Sequence, residues 1–161
     1  MPSTKYIQAK ILSLDALQHK AALWRFKGMR VVFTNGCFDL LHLGHLHSLS
    51  EAKALGDVLV VGLNTDASVK RLKGPTRPIQ DETTRAEILA NLLLVDAVVL
   101  FDEDTPLNLI QTLTPNVLAK GGDYQPETIV GYQWVTQHGG QVAIVPLLEG
   151  HSTTGIVGRM A

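Results

Sequence analysis

The chain has 161 residues, of which 45% are apolar and 18% are charged, and its formal net charge is -1. This composition predicts one globular domain over residues 1–161 and excludes a largely disordered chain. The near-neutral charge predicts no nucleic-acid partner, and no apolar run reaches the roughly 20 residues of a membrane span. The single cysteine, Cys37, cannot form an internal disulfide, which favours a cytoplasmic protein.

Helical and strand patterns alternate along the chain. Residues 1–29 are expected to form a helical lead-in, with an amphipathic helix from about Ser13 to Phe26. Apolar, β-branched runs predict strands at residues 30–34, 58–63, 97–101, 117–120 and 141–146. Further helices are predicted at residues 46–55, 82–94, 106–113, 128–138 and 153–160.

This alternation predicts an α/β fold, a Rossmann-like doubly wound parallel sheet of about five strands flanked by helices. Ligands of such sheets bind beyond the carboxyl ends of the strands, where the strand order reverses. We therefore expect the functional residues in the loops at residues 35–45, 64–77, 120–125 and 148–154.

The first of these loops reads NGCFDLLHLGH, at residues 35–45, and connects a strand to a helix. Its backbone amides and the helix dipole favour an anion, while Gly36 permits a sharp turn and Gly44 leaves room for a phosphate. His42 and His45 are three positions apart, so in one helical turn their Cβ atoms would be about 5–6 Å apart. Two such imidazoles can hold different oxygens of one phosphate during phosphoryl transfer.

Two other interpretations of the histidines stay open from the residues alone. A histidine at a helix start is usually a cap or a solvated residue. Two neighbouring histidines can also be half of a zinc site, for which Cys37 and Asp39 would be nearby ligands. Their spacing matches no metal framework, and we predict no metal site made by the protein.

The string NGCFDLLHLGH resembles the signature of the cytidylyltransferase-like nucleotidyltransferases, which share a His-x-Gly-His motif. The similarity extends over about Val31 to Arg159 and includes a Ser/Thr-rich turn, Ser152 to Thr154, that opens the last helix. The resemblance implies transfer of a nucleoside monophosphate to a phosphorylated acceptor, with release of pyrophosphate. Hydroxyls and free amides at a helix start suit the β- and γ-phosphates of the nucleotide.

The resemblance also implies roles for individual residues. The residues expected to act in catalysis are His42, His45 and Lys73. The residues expected to bind the acceptor are Asp39, Lys70 and Arg77. The residues expected to bind the nucleotide are Asn35, Gly36, Cys37, Phe38, Gly44, Arg85, Lys120, Gly121, Asp123, Ser152, Thr153 and Thr154.

Some of these assignments have a simpler alternative. The cations at residues 70–77 could be a solvated helix face, and Arg85 could form a salt bridge with Asp81 or Glu82. Gly121 would allow close approach of a base or ribose, whose hydroxyls Asp123 could bind.

Within that family, the strings KRLKGPTRPI, KGGDY and PLLEGHSTTGIV resemble the D-glycero-β-D-manno-heptose 1-phosphate adenylyltransferases of lipopolysaccharide-core biosynthesis, here in a stand-alone form. The resemblance implies that ATP and heptose 1-phosphate give ADP-heptose and pyrophosphate, with Mg²⁺ held mainly by the ATP phosphates. Glycerol-phosphate cytidylyltransferases carry an arginine before their Ser/Thr turn, and residues 147–150 here contain none, so the comparison with that family disfavours CTP. His151 departs from the aromatic residue that the resemblance implies at its position. A homodimer is compatible with the sequence.

Three alternatives for the function remain at this point. Two are enzymes on the same scaffold, a glycerol-3-phosphate cytidylyltransferase and an adenylyltransferase acting on phosphopantetheine or flavin mononucleotide. The third is a non-catalytic regulator that binds nucleotides, against which the presence of His42 and His45 argues.

Overall fold

The computed structural model describes residues 2–160, which contain eight α-helices and six β-strands. The strands are β1 (Ile11–Leu12), β2 (Val31–Gly36), β3 (Val58–Asn64), β4 (Ala97–Phe101), β5 (Val117–Gly121) and β6 (Gln141–Val145). The helices are α1 (Pro2–Gln8), α2 (Leu14–Phe26), α3 (Leu43–Lys53), α4 (Asp66–Lys73), α5 (Glu82–Asn91), α6 (Leu107–Leu113), α7 (Tyr132–Gln137) and α8 (Thr153–Met160). A short 3₁₀ helix spans Pro126–Thr128.

All the strands are parallel and lie in one sheet in the order β1-β4-β3-β2-β5-β6. The chain runs outward from β2 through β3 to β4, and then from β5 to β6 on the other side. The order therefore reverses between β2 and β5, where an open α/β sheet binds its ligands. This confirms the predicted Rossmann-like, doubly wound sheet.

The predicted strand number of about five was wrong by one. The additional strand, β1, has only two residues and pairs with β4 through Ile11↔Val98 and Leu12↔Val99. It lies inside the lead-in that was predicted to be helical. Two residues provide no periodicity, so its pairing at the sheet edge depends on β4 rather than on a local signal.

Polar side chains set several helix starts. Ser13 caps α2 by accepting a hydrogen bond from the Ala16 amide at 3.1 Å, close to the predicted start of that helix. Helix α3 begins at Leu43, earlier than the predicted residue 46, because His42 acts as its N-cap. The helix predicted at residues 128–138 is shorter, since Gly131 has a φ of 93° and α7 starts only after it.

The core consists of two apolar layers, one on each face of the sheet. Every residue of β3 is buried, and alternate side chains enter opposite layers: Val60 packs in one and Val61 in the other. Continuous burial on both faces explains why the apolar run at residues 58–63 predicted this strand. No helix within residues 2–160 is long and apolar enough to cross a membrane.

Gly62, in β3 near the carboxyl edge, tests how tightly that edge is packed. A Cβ at Gly62 would lie 2.8 Å from Cζ of Phe33, a side chain that is fully buried and cannot move aside. We expect Gly62→Ala to lower the free energy of unfolding by about 2 kcal/mol, the typical cost of overpacking, in urea denaturation. The matched control is Gly158→Ala in α8, because nothing lies within 4 Å of that position. Equal stability of the two variants would contradict this packing.

Candidate active site

His42 and His45 form a stacked pair at the start of α3. Nδ1 of His42 accepts a hydrogen bond from the His45 amide at 3.4 Å, which fixes His42 as the N-cap of the helix. The two imidazole rings stack with their centroids 3.8 Å apart and an interplanar angle of 23°. The Phe38 ring lies 5.2 Å from that of His45, on the loop that connects β2 to α3. Both histidines therefore present their rings at one place, beside the point where the strand order reverses.

A cavity of about 190 Å³ lies next to this pair, and we call it the histidine cavity. It contains residues from all four loops at which the sequence predicted functional groups. Its lining residues are Thr34, Asn35, Gly36, Cys37, Phe38, Asp39, His45, Ser48, Lys73, Lys120, Gly121, Leu147 and Thr153.

A second cavity of about 320 Å³, the side cavity, shares Asn35 and Lys120 with the first. Its remaining lining residues are Asn64, Leu72, Phe101, Asp104, Thr105, Pro106, Tyr124, Thr128, Ile129 and Val130. None of these was predicted as a site residue. The signal that could have found some of them is position, because Phe101 ends the parallel strand β4 and Asp104 to Pro106 follow its carboxyl end.

Burial favours the uncharged form of three basic groups in or beside the histidine cavity, His45, His42 and Lys120. Burial, the neighbouring His42 and the positive charge of Lys73 lower the pKa of His45 to about 4. Burial, with the nearby His151, also lowers the pKa of His42. Burial lowers the pKa of the Lys120 ammonium as well. Nδ1 of His45 is buried without a hydrogen-bond partner in the described part of the chain. An anion in this cavity would therefore meet groups that gain from its charge.

The thiol of Cys37 also lines this cavity. Burial raises its pKa, although the nearby cations Lys73 and Arg85 act in the opposite direction. A thiol with a raised pKa is a poor nucleophile, which agrees with the absence of Cys37 from the predicted catalytic residues.

Arg85 was expected to bind phosphate, but its guanidinium is directed into the protein. The residue is only 1% exposed, and Nη1 donates to the carbonyl oxygens of Cys37 at 2.7 Å and Asn64 at 2.9 Å. Nε donates to the Gln80 carbonyl at 3.0 Å, and Nη2 to the Asp66 carboxylate at 2.7 Å. The acid it pairs with is thus at the start of α4 rather than at the start of α5. Arg85 therefore joins the main chain at the ends of β2 and β3.

Asp39 and Arg77, expected to bind the acceptor, bind each other. Asp39 is 2% exposed and accepts from Arg77 Nε at 2.6 Å and from the amides of Ile79 at 2.9 Å and Gln80 at 3.0 Å. Burial acts to raise the pKa of Asp39, but these hydrogen bonds outweigh it and hold the pKa below its usual value. Asp39 borders the histidine cavity while it anchors residues 77–80 to the loop after β2.

The remaining predicted residues divide between the cavity wall and its surroundings. Lys70 and Asp123 are exposed and line neither cavity. Ser152 is exposed and caps α8 by accepting from the Gly155 amide at 3.0 Å, and Thr154 is exposed in the first turn of that helix. Gly44 lies where a Cβ would be 3.0 Å from the His42 ring. Because Gly44 has no side chain, the His42 ring can lie close to the main chain at the start of α3.

The low pKa of His45 can be measured directly. In the free protein we expect the imidazole to titrate at about 4, so that it is neutral at pH 7. Replacing Lys73 by Met removes a positive charge that disfavours the imidazolium, and the pKa of His45 should rise. The measurement is an NMR pH titration of the histidine ring resonances, with Lys70→Met as the control cation in the same helix. A His45 that titrates near its ordinary value of about 6.5 would contradict this account.

The chain is similar in sequence and in structure to known proteins. The profile of the cytidylyltransferase-like family matches residues 33–154. The bifunctional protein HldE of Caulobacter sp. strain K31 is 59% identical over 151 residues, which are 94% of this chain and 31% of that protein. The chain thus spans about a third of the length of this curated relative.

Two solved structures are similar to the chain. A lipopolysaccharide core biosynthesis protein from Thermoplasma volcanium GSS1 has 33% identity and a TM-score of 0.61, covering 77% of this chain and all (100%) of that one. Pantoate-beta-alanine ligase from Francisella tularensis has 15% identity and a TM-score of 0.62, covering 90% of this chain and 69% of that one, and shows the shared fold alone. By its profile match, its relatives and its histidine turn, the chain belongs to the cytidylyltransferase-like family of nucleotidyltransferases.

Proposed function

We propose that this chain transfers AMP from ATP to a heptose 1-phosphate, giving ADP-heptose and pyrophosphate. The observation that carries the proposal is the histidine cavity, where a stacked imidazole pair, Lys73, Lys120 and the start of α8 meet at the reversal of strand order. The sequence strings that resemble heptose 1-phosphate adenylyltransferases indicate heptose 1-phosphate as the acceptor. The 59% identity to HldE and the 33% identity to a lipopolysaccharide core biosynthesis protein support that choice.

In this proposal the α-phosphate of ATP lies against His42 and His45. The acceptor phosphate attacks the α-phosphorus in line, one P–O bond forms, and the bond to the departing pyrophosphate breaks. A phosphoryl transfer of this kind needs positioning and charge stabilisation more than covalent chemistry. His45 is neutral in the free protein, and the negative charge of the triphosphate would favour its protonated, donating form.

The cations and hydroxyls at the opposite walls of the cavity would hold the rest of the triphosphate. Lys73 and Lys120 line it from α4 and β5, and Thr153 lines it from the first turn of α8. Amides at a helix start and threonine hydroxyls donate to phosphate oxygens, so the departing pyrophosphate would be held there. An anion would favour the charged form of Lys120, which burial disfavours in the free protein.

The side cavity would take the sugar of the acceptor. It opens beside Lys120 and Asn35, which belong to both cavities, so a phosphate at this boundary would join sugar and nucleotide. Asp104 and Thr105 offer polar atoms to sugar hydroxyls, and the Tyr124 ring offers an apolar face. A polyhydroxylated acceptor fits this mixture better than an apolar one.

The donors around the cavities fit a Mg²⁺ ion that arrives on the triphosphate. Asp39, the carboxylate that lines the histidine cavity, already accepts from two amides and Arg77. When bound, Mg²⁺ would neutralise charge on the phosphate oxygens, which it prefers together with water as ligands.

A pyrophosphate-release assay that combines four nucleoside triphosphates with a panel of phosphorylated acceptors tests this function. We expect turnover with ATP and heptose 1-phosphate, and kcat/KM for ATP about tenfold or more above that for CTP, equivalent to about 1.4 kcal/mol. Phosphopantetheine, glycerol 3-phosphate and flavin mononucleotide should give little product. A preference for CTP or for one of these acceptors would contradict the proposal.

The same assay tests the roles of the imidazoles. His42→Ala and His45→Ala should each lower kcat by about a hundredfold or more, as loss of a donor to the transition state does, and ATP affinity should change much less. His19→Ala, on the exposed surface of α2, is the control histidine and should retain full turnover. Near-full turnover in both active-site variants would exclude this mechanism.

A further inference from the structure

Two consecutive residues in the last turn of helix α4 line different cavities. Leu72 lines the side cavity and Lys73 lines the histidine cavity. A small rotation of this last helical turn would move both side chains at once, because they are joined by one rigid peptide unit. The position of Lys73 therefore depends on what holds the end of α4.

Arg85 and Glu82 bind Asp66 at the start of α4, and the last turn of the helix is bound by the loop after β4, residues 102–104, which we call the acidic loop. Arg71 Nε donates to Asp104 Oδ1 at 3.1 Å, and Arg71 Nη1 lies 3.6 Å from Asp102 Oδ1. Arg71 Nη2 also donates to the Asp102 carbonyl oxygen. The guanidinium fork thus binds the acidic loop at both Asp102 and Asp104, a geometry that a point charge cannot reproduce.

The acidic loop also contacts the other end of the helix. The hydroxyl of Thr65 donates to Asp102 Oδ1 and, as the N-cap of α4, accepts from the Ser68 amide at 3.2 Å. Asp102 therefore contacts both the first and the last turn of an eight-residue helix. The loop thus helps to fix the direction of α4, together with the contacts of Asp66.

The loop continues directly into the wall of the side cavity through Asp104, Thr105 and Pro106. A molecule seated in that cavity would contact the acidic loop on one side and Leu72 on the other. Binding of such a molecule would alter the contacts between Arg71 and the acidic loop, on which the position of Lys73 depends.

The exposure of these groups indicates why the contact exists. The side chains of Arg71, Asp102 and Asp104 are 44%, 61% and 78% exposed. Ion pairs this exposed add little to the stability of a fold. A contact that contributes little stability, yet joins a cavity wall to a cavity lysine, is better explained by positioning.

We propose that Arg71, Asp102 and Asp104 form a latch that positions Lys73 in the histidine cavity and couples its position to the occupant of the side cavity. These are positioning residues: they act through Lys73 and do not contact the reacting atoms. The proposal rests on the proposed function for the identity of the ligands, but the latch itself is a property of the free protein.

Hydrogen exchange in the free protein tests the latch without any assumption about activity. In Arg71→Ala and Asp104→Asn, the amides of residues 68–74 should exchange about threefold faster than in the wild type, since local opening of α4 becomes easier by the small free energy of an exposed ion pair. Arg71→Lys keeps the charge but loses the fork, and should give an intermediate rate. Asp15→Asn, an exposed acid on α2, is the charge-matched control. Unchanged exchange in the latch variants would overturn the proposal.

A double-mutant cycle then tests the coupling to Lys73. Arg71→Ala should lower ATP affinity, measured by calorimetry with Mg²⁺ present, by about fivefold in the wild-type background and not further once Lys73 is Ala. Fully additive effects would overturn the link to Lys73. If the wild type binds ATP but releases no pyrophosphate with any sugar phosphate, the proposed function fails, while exchange and affinity still decide the latch.

Discussion

The buried guanidinium of Arg85 is the interaction on which the carboxyl edge of the sheet depends. It joins the main chain after β2, the end of β3, the segment before α5 and the carboxylate at the start of α4. A charge so deeply buried is tolerated only when its donors are satisfied, and removing one partner of such a pair typically costs about 3–5 kcal/mol. The histidine cavity is lined in part by the segment after β2 that Arg85 holds.

The polar groups near this edge of the sheet are of two kinds, those bound by internal partners and those that face the histidine cavity. Arg85 and Asp39 are saturated by internal partners and hold the loops in place. Lys73, Lys120 and Nδ1 of His45 are directed to the cavity or left without a partner, and burial shifts the pKa of His45 and Lys120 toward the neutral form. Burial disfavours the charged forms of His45 and Lys120 in the free protein, and a bound anion would favour them.

The sequence was most informative where burial is continuous or a motif is local. The apolar run of β3 predicted a strand because both faces of the strand are covered, and the histidine spacing placed both rings on one turn. The strand β1 could not be predicted, because its two residues become a strand only through pairing with β4. Arg85 shows the limit for single residues: its sequence position suits a phosphate ligand, and only the fold reveals that its donors are already used. The side cavity forms where residues 101–106 and residues 128–130, which are distant in the sequence, come together in the fold. No local sequence pattern predicts that contact.

The central claim is that the triphosphate of a nucleotide lies against the imidazole pair. The most direct measurement is an NMR titration of the histidine ring resonances with ATP and Mg²⁺. The account predicts that the resonances of His42 and His45 shift together, and that the pKa of His45 rises from about 4 as the phosphate stabilises the imidazolium. If calorimetry shows ATP bound while these two histidines keep their resonances and pKa values, the nucleotide binds elsewhere and the account is contradicted.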